Sequence, residues 1–420
     1  MKARLVESLT KLLLPSLALQ VTSQGTDLGG GVVTRTDVEY LADLTLDVRD
    51  IKQSIAAGNN NAALRIYESG KNSGRDDGDL FKLTDLSTDL ANEAIANMTP
   101  IFLFQLYGLA GRSVMLEDLL ENAAYADSYV RSAIQNGRSV ASTATLVLNI
   151  WMYAVDVLYK GVGRCQKKTE ADNPSQFDVA SGGLDEFIAL WIGSGQTHGS
   201  NEGFGLYALT EQVDLLFVAT DNSDSPLYSE KDFTESRVNY QLKLLYQEAA
   251  SLFSISDVCT KDNPSTPKKL LSVISRINTQ MYIPLLQLLI VSILEQDVWA
   301  TNLYATAVVP QAAQCRPSVY DRLREELLEG TPNFQSTELI LEDLQAIYSC
   351  FGLSCSDIGT VAKDYENFNT PTCDTTRDHT SMALYKPSTD VQPVRGSGLF
   401  PSFRIQKCFL SSIIFGVVLF

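Results

Sequence analysis

Three short segments carry carboxylates and phenols at spacings suited to a hard cation. In Arg65–Ser73 (RIYESGKNS), the pair Tyr67-Glu68 stands at a helix end, before a glycine and a basic turn. In Leu184–Gly195, Asp185 and Glu186 enter an otherwise apolar helix that finishes in a glycine-rich loop. In Gly203–Glu211, Tyr207 and Glu211 lie at i and i+4 on one helical face. A short loop bearing His198 and Glu202 joins the second segment to the third. That connection predicts an antiparallel helix pair, with Asp185 or Glu186 brought toward Glu211 and Tyr207 toward the loop end. Anionic and phenolic oxygens with few imidazoles suit Fe(III). The candidate ligands are therefore Tyr67, Glu68, Asp185, Glu186, Tyr207 and Glu211. Each also has an ordinary use. Carboxylates at a helix start satisfy free N–H groups and the helix dipole, and a tyrosine packs with its hydroxyl at the rim. Both readings stand open on sequence alone.

Other chemistries find little support. There is no Walker loop, no G-x-S-x-G elbow, no H-E-x-x-H and no C-x-x-C. With only two histidines, His198 and His379, imidazole-rich zinc or copper sites and hydrolytic triads are poorly served. No enzyme is expected. A net charge of -17 argues against a nucleic-acid partner, whose phosphates would be repelled.

The elements that must position these residues read as helices almost throughout, so the fold class is all-α, in two bundle-like halves followed by a flexible stalk. Leu116 to Gly137 and Leu339 to Phe351 repeat apolar residues at spacings of three and four. Glycines 137 and 352 stand as stops, and Ser336 or Thr337 as a cap. Pro317 opens another helix, closed by Gly330-Thr331-Pro332. Ala144 to Leu158 and Met281 to Leu294 are apolar around most of their circumference and too short to span a membrane. They are expected as central buried helices, one per half. Loop-like composition at 220–236 divides an N-terminal helical domain, 37–219, from a C-terminal one, 237–359. Residues 364–398, rich in Thr, Ser, Asp and Pro, read as the stalk.

Both ends point outside the cell. Residues 1–23 combine a basic start, an apolar stretch and small residues before Gln24, the parts of a signal peptide. Residues 397–420 read as a glycolipid-anchor signal: small residues around Gly396 and Ser397, a spacer, then the apolar run Cys408–Phe420. That run rises only about 20 Å as a helix, short of the ~30 Å hydrocarbon core. The expected place is the outer face of the plasma membrane, held by the lipid. Of seven cysteines, loss of the tail leaves Cys165, Cys259, Cys315, Cys350, Cys355 and Cys373. An even six in an oxidising compartment are expected to form structural disulfides, with Cys315, Cys350 and Cys355 close together.

The segments IYESGKNS (66–73), DEFIALWIGSGQ with GLYALTEQ (185–212), VVPQAAQCRPSVYDRL (308–323) and IYSCFGLSCSDIG (347–359) resemble the algal low-iron-inducible periplasmic, iron-assimilating proteins related to phytotransferrin. The resemblance implies surface capture of ferric iron for high-affinity uptake, without turnover, and carbonate as synergistic anion. For the anion, Lys71 or Arg75 is the expected cation. A surface reductase or an endocytic protein is the expected partner. The competing expectation is a glycolipid-anchored structural or adhesive surface protein that binds no metal.

Overall fold

The computed structural model describes residues 25–75, 78–89, 125–170, 182–218, 234–253, 259, 264–313 and 315–361. The leader, the stalk, the anchor signal with Gly396 and Ser397, His379, Cys373 and the helix start at Leu116 lie outside these residues. The all-α class is what the structure shows. Among the described residues the only strands are β1, Phe217–Val218, and β2, Thr360–Val361, which form one short antiparallel pair.

After a helical turn at Glu39–Ala42, α1 (Leu44–Ala56) and α2 (Asn60–Ser69) form a hairpin. Asn59 caps α2 by accepting the Ala62 N–H. Helix α3 is Tyr125–Gln135. Helix α4 starts at Ala141–Thr145, loosens into a π turn at Leu146–Trp151 and continues as Met152–Glu170. Then follow α5 (Gly182–Ile192), α6 (Leu206–Asp214) and α7 (Arg237–Phe253). The long α8 (Thr266–Leu294), α9 (Val298–Val308), α10 (Pro317–Leu327) and α11 (Thr337–Ile347) complete the described helices of this length.

The apolar stretches at Ala144 and Met281 are buried helices, as their composition predicts, but both helices run well beyond those stretches. Helix α8 has 29 residues, and both are long and apolar enough to cross a membrane by length and composition. Their apolar faces are instead buried in protein, with α4 against α5 and α8, and α8 against α7 and α9. Trp151 of α4 donates its indole N–H to the Met281 carbonyl of α8 and meets Tyr282 edge-on at 5.3 Å. Pro284 gives up one helical hydrogen bond inside α8. Buried neighbours on both sides hold the helix through it.

The π turn has a local cause. Asn149 is wholly buried within it, and its amide nitrogen lies 3.1 Å from Tyr67 Oη, 2.8 Å from the Leu83 carbonyl and 2.9 Å from Ser87 Oγ. The amide nitrogen is thus partnered while the buried Oδ1 has no partner among the described residues, and the local insertion in the helix accompanies that arrangement. Past α11 the chain tightens through Tyr348–Phe351 and stops at Gly352, whose φ of 71° is left-handed and favours glycine.

Cys165 at the end of α4 is bonded to Cys259, and Cys315 to Cys350, with Cα separations of 5.2 and 5.8 Å. Cys355 is disulfide-bonded as well. The expected closeness of Cys315 and Cys350 is thus a covalent bond.

Candidate metal centre

The turn Glu39–Ala42 buries Leu41 and Ala42, which leaves Tyr40 half-buried at the rim. On α4, Tyr153, Asp156, Lys160 and Arg164 follow at steps of three and four, so they form one polar stripe on an apolar helix. Helix α5 packs along α4 and brings Glu186 to that stripe, with Glu186 Oε2 3.8 Å from Arg164 Nη2. The fourth element is the turn bridged between Gly74 and Leu80, where the Arg75 guanidinium lies 4.2 Å over the Phe81 ring. Phe81 is the common floor. The rings of Tyr40 and Tyr153 each meet it at 6.0 Å, tilted.

These groups share one electrostatic environment. Burial raises the Tyr40 phenol above its ordinary range; Glu186 raises it further, and Arg75 and Arg164 pull it down. Tyr153 is pushed strongly upward, by burial first and then by Glu186, Asp156 and Tyr40. Glu186 itself is raised by burial, against the pull of Arg164 and Lys160. Neither tyrosine hydroxyl hydrogen-bonds another described residue, and Glu186 has only its loose contact to Arg164. Two phenols and a carboxylate without close partners among the described residues, beside two guanidiniums, are groups chemically suited to a hard cation and a small anion. A bound cation would replace the phenolic protons, and the guanidiniums would hold the anion by charge-assisted hydrogen bonds. Among the described residues no three of His, Cys, Asp and Glu converge on one point. A metal ion at this centre would therefore have to draw on phenolate oxygen.

Of the residues singled out from sequence, Glu186 and Arg75 belong to this centre. The others belong to four separate networks. Tyr67 is buried, donates to Asp127 Oδ1 at 2.9 Å and accepts from Asn149. Its neighbour Glu68 is ion-paired with Arg131, which also binds Asp127 Oδ2 at 2.7 Å. Asp185 is buried and turned away from Glu186. It accepts from the Arg35 and Thr36 N–H groups, the Thr36 hydroxyl and the Tyr246 hydroxyl.

Tyr207 and Glu211 belong to the third network. Tyr207 reaches the loop end as expected, accepting the Gly199 N–H at 2.8 Å and donating to Glu235 at 2.9 Å. Glu235 in turn pairs with Lys243 at 2.5 Å and faces His198 at 3.4 Å. Both oxygens of Glu211 accept the Ser236 N–H, at 2.9 and 3.0 Å, and Oε1 accepts the Asn239 amide at 2.6 Å. The expected approach of Asp185 to Glu211 does not occur. Their partners Tyr246 and Asn239 are two turns apart on α7, roughly 10 Å along its axis. Lys71 is occupied by Asp50, at 2.6 Å, which leaves Arg75 and Arg164 as the guanidiniums of the centre.

Sequence reasoning passed over Tyr40, Tyr153 and Arg164. Tyr153 sits inside an apolar run that reads as core. The signal that finds it is the stripe it makes with Asp156, Lys160 and Arg164.

No curated protein and no solved structure matches the chain. The model of the low iron-inducible periplasmic protein family, Fea1, matches residues 13–219, a span that contains Tyr40, Arg75, Tyr153, Arg164 and Glu186. Over that span, just under half of its length, the chain is similar to the low iron-inducible periplasmic protein family, whose description points to a low-iron, periplasmic setting.

Proposed function

We propose that this protein captures ferric iron at the cell surface, with Tyr40, Tyr153 and Glu186 as metal ligands and carbonate held by Arg75 and Arg164. The observation that carries the reading is the pair of half-buried phenols without hydrogen-bond partners among the described residues, beside a glutamate and two guanidiniums. Phenolate and carboxylate oxygens match the hardness of Fe(III). Carbonate would neutralise the arginines and fill coordination positions left open by three protein ligands. The protein binds and releases its cargo without turnover and hands it to a surface reductase or an endocytic partner.

Titration of the purified protein with Fe(III) in bicarbonate buffer tests this. A tyrosinate-to-iron charge-transfer band is expected in the parent and is lost in the Tyr40→Phe, Tyr153→Phe double variant. A parent without the band would instead favour a structural or adhesive surface protein.

The surface attachment is a glycolipid at Gly396 or Ser397, supported by the small residues, spacer and short apolar tail of the sequence. Release from membranes by a glycolipid-specific phospholipase is expected. Mass-spectrometric detection of Cys408–Phe420 in the mature protein would refute the anchor.

A further inference from the structure

Neither phenol of the centre is held by a hydrogen bond to a described residue, so the position of Tyr40 depends on the backbone that carries it. That backbone is a strap, residues 25–38, which buries Leu28, Val32 and Val38 in the core and runs into the Tyr40 turn. The strap folds on itself through Thr26 and Thr34 and an Asp27–Val33 bridge. The Thr26 hydroxyl joins its two ends, accepting the Val38 N–H at 3.0 Å and donating to Asp37 Oδ1 at 3.2 Å. Farther along, Gly30 donates its N–H to the Gln196 carbonyl, and its own carbonyl accepts Lys243 at 3.1 Å.

The strap makes three hydrogen bonds to one buried carboxylate. Asp185 Oδ2 accepts the Arg35 N–H at 3.1 Å, the Thr36 N–H at 2.9 Å and the Thr36 hydroxyl at 2.8 Å. Its Oδ1 accepts the Tyr246 hydroxyl of α7 at 2.7 Å. The anchored residue Thr36 lies four positions before Tyr40, and Asp185 immediately precedes Glu186. One carboxylate therefore ties two ligand-bearing segments, the strap and α5, to a third element, α7.

We propose that Asp185 and Tyr246 are positioning residues of the metal centre, a latch that sets Tyr40 at its working distance from Glu186. The inference rests on the metal reading above and assigns to the latch no contact with iron. Hydrogen bonds to a charged acceptor are stronger than neutral ones, and in a buried setting Asp185 fixes its donors tightly. Tyr246→Phe removes the α7 tie while keeping the ring, and Thr36→Val removes one strap tie with little change of volume.

The test compares Fe(III) affinity, charge-transfer absorbance per bound iron and thermal melting in the parent, Tyr246→Phe and Thr36→Val proteins. The full chain is used in bicarbonate buffer. Affinity about tenfold weaker is expected in either variant, the equivalent of losing one such hydrogen bond. Lower absorbance per bound iron is expected with it, as Tyr40 leaves the metal. Thr36→Val is the milder change and keeps the test readable should Tyr246→Phe fail to fold. A variant that melts earlier yet binds iron with the parent's affinity and spectrum overturns the inference, because the latch would then serve the fold alone. A parent that shows no band overturns the metal reading, and this inference with it.

Discussion

Tyrosine ligation has a consequence that can be counted in protons. A free phenol titrates near pH 10, about three units above neutrality, so ionising one at pH 7 costs at least about 4 kcal/mol. Burial and Glu186 raise both Tyr40 and Tyr153, so the cost at this centre is higher still. The sign follows directly. Both hydroxyls are protonated at every pH below their raised values, Fe(III) must expel those protons to bind, and affinity falls as pH falls. Each phenolate ligand contributes about one decade of affinity per pH unit, so two contribute about two. Bicarbonate that binds as carbonate adds its own proton to parent and variant alike.

The perturbation is Tyr153→Phe, which removes one oxygen and leaves the ring packed against Phe81. Iron affinity measured by citrate competition between about pH 5.5 and 7.5, roughly 2.5 units or more below the ordinary phenol value, gives the slope. The variant is expected to be shallower than the parent by about one decade per pH unit, with the charge-transfer band weakened. An unchanged slope would refute Tyr153 as a ligand, even were the affinity reduced. The same experiment on Tyr207→Phe should leave the slope alone, since that hydroxyl is already engaged by Gly199 and Glu235.

Two further outcomes concern the scaffold. Replacing Cys165 and Cys259 together by serine opens a link across 94 residues, for which loop entropy gives about 4–5 kcal/mol of lost stability. Denaturant unfolding of the double variant measures it, and a loss below that from opening the Cys315–Cys350 link would contradict the entropic account. Asn149→Ala strips the π turn of the amide that meets Tyr67, Leu83 and Ser87, and should cost roughly 2–4 kcal/mol in the same assay. A near-neutral result would mean that the buried polar cluster does not depend on that side chain.

The sequence determined by itself what local chemistry dictates. Helix periods, the proline that opens α10, the glycine that closes the segment after α11, and the burial of the two apolar helices follow from side-chain spacing and backbone preference within one segment. Composition also sets an expectation for the site: few imidazoles and many tyrosines and carboxylates leave oxygen as the donor for any metal.

Which oxygens meet was decided by tertiary structure. Asp185 and Glu186 are adjacent in the chain, yet successive residues on a helix point about 100° apart. One therefore anchors the strap and the other reaches the α4 stripe. Tyr67-Glu68 and Tyr207 with Glu211 are equally compact in sequence, and the fold occupies them with Asp127, Arg131, Glu235, Ser236 and Asn239, all remote in the chain. Tyr40, Arg75, Glu186 and the α4 pair Tyr153 and Arg164 come from four elements whose meeting depends on how α5 lies along α4 and where the strap is pinned. That packing comes from burial of apolar faces, a non-directional force spread over the whole core. No short window of sequence records it.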